Sequence, residues 1–169
     1  DPAGPNAPMV YGRSFQNRYG NGPDANGVWF RKLLNDHWKN QEGFRSPNNY
    51  RLIRYADVLL MAAEAANESG QTSLATSLLN QVRARARAGN SSVLPDVTSS
   101  DQATVRAAIK HERRIELAME GERFYDLVRW GDASTVLVGL GYLPKNAYYP
   151  IPLTAIDQSG GVLIQNPNY

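Results

Sequence analysis

Between Glu112 and Gly131 the chain reads ERRIELAMEGERFYDLVRWG, and its charges recur one helical turn apart with matching signs. Glu112, Glu116 and Glu120 form one stripe at i, i+4, i+8, while Arg106, Lys110 and Arg114 form another. On an isolated helix, stabilising pairs at that spacing are opposite in sign and like charges are unfavourable. The stretch therefore demands partners from other elements. Large apolar residues accompany it. Ile115, Ala118 and Met119 recur at i, i+3, i+4, as do Phe124, Leu127 and Val128 beyond Gly121, which predicts two apolar patches facing a core. The predicted elements are a helix to about Glu120, a bend at Gly121 and a short helix ending near Trp130. An acid-rich stripe beside apolar residues more often braces a fold than breaks bonds. Its expected partner is Arg83 or Arg87, which sit one turn apart in the run RARAR.

Arg51–Ser69, RLIRYADVLLMAAEAANES, is apolar almost all round and predicts a helix buried among others. Its alanines, Ala62, Ala63, Ala65 and Ala66, let neighbouring helices come close, and Gly70 is placed to end it. A second helix is expected from Thr72 or Ser73 to about Ala88, with Leu74, Ala75, Leu78, Leu79 and Val82 on its inner face. Two helices joined by a tight glycine turn make an αα-hairpin, and these residues approximate the tetratricopeptide pattern. No second copy follows. A single such repeat cannot bury its own face, so the remaining stack is expected from elsewhere. Ser99 with Gln102 suggests a capping box for the third helix.

The first 49 residues differ in character, being punctuated by glycine and proline and rich in rings. They are expected to form an irregular loop region, with a short helix possible at Val28–Trp38. Tyr19, Trp29 and Trp38 are the candidate ligand-stacking residues there; the alternative role of such rings is to anchor a long loop. The helical region is expected to span 50–169. Its later part is a glycine-spaced connection at Gly131–Lys145, an extended Tyr148–Pro152 and a short helix at Thr154–Asp157. A tail should follow, anchored by Val162, Leu163, Ile164 and Tyr169. The fold class is thus mostly α: a tetratricopeptide-like αα-hairpin plus further helices, with long irregular loops and an extended C-terminal tail.

A formal net charge of +2 gives no case for nucleic acid. With no cysteine, disulfides and thiolate metal sites are excluded. No apolar run reaches membrane-spanning length. The opening DPAGPNAP is neither an initiator methionine nor a signal peptide, and a piece of a longer chain is expected. Walker-type, dinucleotide-binding and nucleophile-elbow motifs are absent. His37 and His111 lack ligand-like spacing, so no metal or other cofactor is expected. Glu112 and Glu116, one turn apart on one helix, are poorly placed to flank a scissile glycosidic bond. No catalytic residue is assigned.

Several motifs carry a resemblance. RYADVLLMAAEA from Arg54 to Ala65, followed by Ala75 through Arg87, resembles the first helical pair of the SusD/RagB family. ERRIELA at Glu112–Ala118, with Glu120–Gly121, RFYDL at Arg123–Leu127 and Arg129–Trp130–Gly131, is similar to its ERRxELAxEGxRFxDLxRWG signature. Tyr149–Pro150–Ile151–Pro152 and Gln165–Asn166–Pro167–Asn168–Tyr169 match its PIP and closing QNPGY segments, with Asn168 in the place of the usual glycine. Asparagine tolerates the left-handed backbone that a glycine there would adopt.

The resemblance implies a tetratricopeptide-like helical fold without enzymatic activity. It implies a surface lipoprotein of the Bacteroidetes outer membrane that binds oligosaccharides and passes them to a SusC-like TonB-dependent transporter. It further implies that an N-terminal part of the same protein, carrying the lipid anchor and more helices, lies outside this chain. Arg83, Arg87, Glu112, Arg113, Glu116, Arg123, Asp126 and Arg129 are then expected to be structural ion-pair residues. The alternatives are a tetratricopeptide-like protein–protein adaptor and a peptide-binding member of the same family.

Overall fold

The computed structural model describes residues 49–90 and 92–169, Lys32, and the backbone of 9–10 and 13–14. The possible helix at Val28–Trp38 lies outside the described residues. Within the first 49, Met9–Val10 (β1) pairs antiparallel with Arg13–Ser14 (β2), Met9 opposite Ser14 and Val10 opposite Arg13. The other regular elements among the described residues are helical. The helices are α1 (Tyr55–Glu68), α2 (Thr72–Arg87), α3 (Gln102–Glu116), α4 (Glu122–Arg129), α5 (Ala133–Val136) and α6 (Leu153–Gln158). Two 3-10 turns, Val138–Leu140 and Pro144–Ala147, lie between α5 and α6.

α1 starts four residues later than its apolar run suggests, because Arg54 is extended (φ −117°, ψ 152°). Its end is a Schellman turn. Gly70 takes φ +80°, its N–H donates to Asn67 O at 3.0 Å, and Gln71 N–H donates to Ala66 O at 2.8 Å. The chain reverses there into α2. Leu59, Leu60, Ala63 and Ala66 of α1 meet Ala75, Leu79 and Val82 of α2 and Val105 and Ile109 of α3, which completes a three-helix core. The alanines at the crossing are almost wholly buried and let the helices approach closely.

Polar clamps hold the ends together. Asn67 Nδ2 donates to Gln102 O at 3.0 Å and Gln102 Nε2 returns a bond to Asn67 O at 2.6 Å, joining the end of α1 to the start of α3. Asn80 pairs with both the N–H and the C=O of Val97 (2.9 and 3.0 Å), pinning the α2–α3 loop onto α2. The α3 cap is Asp101, whose carboxylate accepts from Thr104 N–H at 2.7 Å. Ser99 Oγ instead accepts from the Asp101 N–H, which displaces the expected Ser99–Gln102 capping box by two residues.

Three expectations about burial change. The apolar run is one-sided: Leu52 and Ile53, ahead of α1, are 79% and 69% exposed, and Tyr55, Val58 and Met61 of α1 also face outward. Ile115, Ala118 and Met119 are likewise exposed, because α3 turns Val105, Ile109, Glu112 and Arg113 inward instead. The apolar stripe of α3 thus ends in two charged residues. In the tail, Val162, Leu163 and Ile164 point largely into solvent, and the anchors are polar. Ile151, lying between two prolines that lack N–H groups, exchanges both backbone bonds with the Gln165 amide (2.8 and 2.9 Å). Asn166 Nδ2 donates to Tyr149 O at 2.7 Å and Tyr169 OH to Tyr148 O at 2.9 Å. Asn168 sits at φ +69°, the left-handed conformation that closes this turn.

Leu60 is fully buried where the three core helices meet. Leu60→Ala is expected to lower unfolding free energy by about 2–5 kcal/mol, read as a shifted urea midpoint with an unchanged slope. A loss under about 1 kcal/mol would mean that the core closes around the gap.

Candidate functional site

Where the apolar stripe of α3 gives out, a chain of ion pairs takes over. Arg113 is 3% exposed and could not remain charged there without partners. It has two. Its Nη1 donates to Asp57 Oδ1 of α1 at 2.8 Å, and its Nε to Asp126 Oδ2 of α4 at 2.9 Å. Asp126 Oδ1 in turn accepts from Arg129 Nε at 2.9 Å. Arg129 then reaches back across to α1, gripping both oxygens of Glu64 at 2.5 and 2.7 Å. Trp130 Nε1 donates to the same carboxylate at 2.8 Å, and its ring lies 4.8 Å from both Lys110 Nζ and Arg129 Cζ.

Burial alone would raise the Glu64 carboxyl, but the hydrogen bonds from Arg129 and Trp130 outweigh it and hold the group below its ordinary range. Burial likewise opposes the charge of Arg113, and Asp126 and Asp57 more than restore it. Gly121, at φ +94°, makes this geometry possible by turning the chain from the end of α3 into α4 within a few residues.

The acidic stripe opens a second network on the other side of α3. Glu112, almost wholly buried, accepts from Arg83 Nη1 of α2 at 2.6 Å. Arg83 also donates twice to Pro95 O, at 3.1 and 2.8 Å. Arg54, extended just ahead of α1, donates to Glu116 Oε1 at 2.9 Å and to both oxygens of Glu120 at 2.6 and 2.9 Å. Lys32 adds a contact to Glu120 at 2.6 Å, and Arg85 a looser one to Glu116 at 3.3 Å. For Glu120, burial again pushes upward, and Arg54 with Lys32 pull the carboxyl below its usual range. These side chains wall an open cleft of about 320 Å³, whose apolar surface comes from Tyr50, Ala86, Leu94 and Ile115.

Of the residues singled out from sequence, Arg83 meets the acidic stripe, whereas Arg87 turns away to Asp96 at 2.5 Å. Glu112, Arg113, Glu116, Asp126 and Arg129 all sit in ion pairs. Arg123 is half-buried and has no carboxylate within 4.0 Å among the described residues. Tyr19, Trp29 and Trp38 lie outside the described residues. Sequence reasoning missed Arg54, Asp57 and Glu64. The signal was present: Asp57 and Glu64 are charges seven residues apart on one face of an otherwise apolar helix. Among the described residues no group of three or more acidic or histidine side chains is arranged to hold a metal ion.

Comparison with known proteins places these elements in context. The profile of the SusD family matches residues 9–142. SusD-like protein P2 of Formosa agariphila is 39% identical over 137 residues, covering 75% of this chain and 27% of that protein. A solved structure described as a laminarin binding SusD-like protein is 41% identical, with a TM-score of 0.56 over 70% of this chain and 23% of its own. Surface glycan-binding protein A from Bacteroides thetaiotaomicron is 34% identical, with a TM-score of 0.58 over 72% of this chain and 25% of its own. The chain spans about a quarter of the length of the curated relatives it matches.

Two outcomes follow from the networks. Asp126→Ala leaves Arg113 and Arg129 short of a partner and is expected to cost about 3–5 kcal/mol. Glu68→Ala, which breaks the exposed pair with Arg106, should cost at most about 1 kcal/mol. Equal losses in chemical denaturation would refute the assignment of the brace to the buried pairs. Because the Glu64 and Glu120 carboxyls are lowered in the folded state, their stabilisation is complete above the ordinary value of 4.5. It is lost as pH falls through the lowered values. The thermal midpoint should therefore drop on acidification below that value, and Glu64→Gln with Glu120→Gln should flatten the acid limb.

Proposed function

Because this chain belongs to the SusD family, we propose that it is part of a non-catalytic carrier that captures oligosaccharides at the bacterial cell surface. The carrier delivers them to a SusC-like TonB-dependent transporter and is held at the outer membrane by a lipid anchor outside this chain. The observation that carries this reading is the likeness to a laminarin-binding relative at 41% identity over 70% of the chain. No helix among the described residues is long and apolar enough to cross a membrane.

The chemistry of the networks supports a scaffold and not a hydrolase. A general acid for glycoside cleavage needs a carboxyl raised toward neutrality. Glu64 and Glu120 are displaced the other way, and Glu112, Glu116 and Asp126 are occupied as ion-pair acceptors. In such a carrier Arg83, Glu112, Arg113, Glu116, Asp126 and Arg129 act as braces. The outward apolar surface made by Tyr55, Val58 and Met61 of α1 with Leu52 and Ile53 just ahead of it fits further helices of the same protein, as a single tetratricopeptide-like pair requires.

Tyr19, Trp29 and Trp38 are the proposed sugar-stacking residues. In affinity electrophoresis of the full-length protein against a panel of polysaccharides, Trp29→Ala or Trp38→Ala is expected to weaken retention by about tenfold with helix content unchanged. Retention that ignored both changes would move the stacking site elsewhere. A protein retarded by no polysaccharide would overturn the capture reading itself.

A further inference from the structure

We propose that the cleft between α2 and α3 binds a negatively charged sugar unit of an oligosaccharide, carboxylated or sulfated; this names a substrate class and rests on the capture reading above. The argument is one of charge and shape. Three carboxylates, Glu112, Glu116 and Glu120, line the cleft against five cations, Lys32, Arg51, Arg54, Arg83 and Arg85. The excess is two positive charges, equal to the formal excess of the entire chain. Elsewhere cations and acids balance in number.

The excess is localised on two side chains. Glu112 satisfies Arg83, while Glu116 and Glu120 are shared by Arg54 and Lys32. Arg85 is left with a 3.3 Å contact to the Glu116 oxygen that Arg54 already holds at 2.9 Å, and its side chain is 71% exposed. Arg51 lines the cleft and is exposed, with no carboxylate within 4.0 Å among the described residues. A guanidinium fork matches a carboxylate or sulfate with two parallel bonds.

The remaining lining suits a sugar better than a simple ion. The exposed Tyr50 ring, with Leu94 and Ile115, offers apolar surface for the C–H face of a pyranose. The volume, about 320 Å³, falls at the small end of ligand sites. It has room for an end or side unit of a chain. The locked pairs beneath engage Glu112, Glu116 and Glu120 through Arg83 and Arg54, which leaves those acids little capacity to neutralise Arg51 and Arg85.

The test uses the full-length protein in affinity electrophoresis against polygalacturonate, dextran sulfate, unmodified dextran and laminarin, with polyglutamate as a non-sugar polyanion in competition. The expected result is stronger retention by at least one anionic polysaccharide, weakened about tenfold or more in Arg51→Ala/Arg85→Ala and to a lesser extent in Arg51→Lys/Arg85→Lys, which keeps the charge but loses the fork. Retention by polygalacturonate or by dextran sulfate tells which anion is preferred, and either supports the proposal. Because both arginines are exposed, the double variant should fold, and an unchanged thermal midpoint verifies that. Unaltered anionic binding in the double variant overturns the proposal, as does equal displacement by polyglutamate. Binding of neutral glucan alone also overturns it while leaving the capture reading intact; binding to no polysaccharide removes both.

Discussion

The side chain on which the rest of the arrangement depends is the Arg113 guanidinium. Removing such a cation from water costs several kcal/mol even after relaxation. The cost is met only if carboxylates arrive from two directions, and they do: Asp57 from α1 and Asp126 from α4. Neither helix can slide or rotate by a residue without stranding a buried charge. Leu60, Leu79 and Ile109 pack α1, α2 and α3 together, but apolar packing tolerates small shifts that a two-armed ion pair does not. Hydrophobic burial thus supplies the bulk of the stabilisation, and Arg113 selects one arrangement from those that burial allows.

The same reasoning extends outward in both directions from α3. On one side the relay through Asp126 and Arg129 ends on Glu64, where Trp130 adds an N–H bond to the carboxylate and its ring lies against the Arg129 guanidinium. On the other side Arg83–Glu112 is more enclosed than Arg129–Glu64, and then the pairs become progressively more open through Glu116 to Glu120. The gradient matters for function. Enclosed pairs fix helices, whereas the open end of the series forms a wall that a ligand can reach.

Much of this was legible in the sequence because like-signed stripes cannot stabilise their own helix. Glu112, Glu116 and Glu120 each take a partner from another element: Arg83 and Arg85 from α2, Arg54 from the segment before α1, and Lys32. Gly70 and Gly121 were readable as reversals for a similar reason, since each adopts a positive φ that other residues avoid. Less legible was the orientation of residues whose hydrophobicity points the wrong way. Ile115 and Met119 have the spacing of a core face, yet two charged side chains occupy the inner positions of that turn. Periodicity identifies a face but not which of two competing faces is inside, and a paired arginine with its acid can displace an isoleucine. The tail shows the converse. Val162, Leu163 and Ile164 read as anchors, but two prolines leave Ile151 with the only free N–H in its segment, and the Gln165 amide takes it.

The braces and the cleft are one construction. Arg54 is extended because the helix has not yet begun, and that conformation lets a single guanidinium span Glu116 and Glu120. Glu116 Oε1 is held by Arg54 at 2.9 Å and meets Arg85 only at 3.3 Å, so Arg85 is the more weakly paired of the two. Arg85 faces water with that one loose contact. A fold that locks its acids to hold its helices therefore leaves weakly matched cations among the described residues at the end of the lock, and an anion arriving there meets donors already positioned.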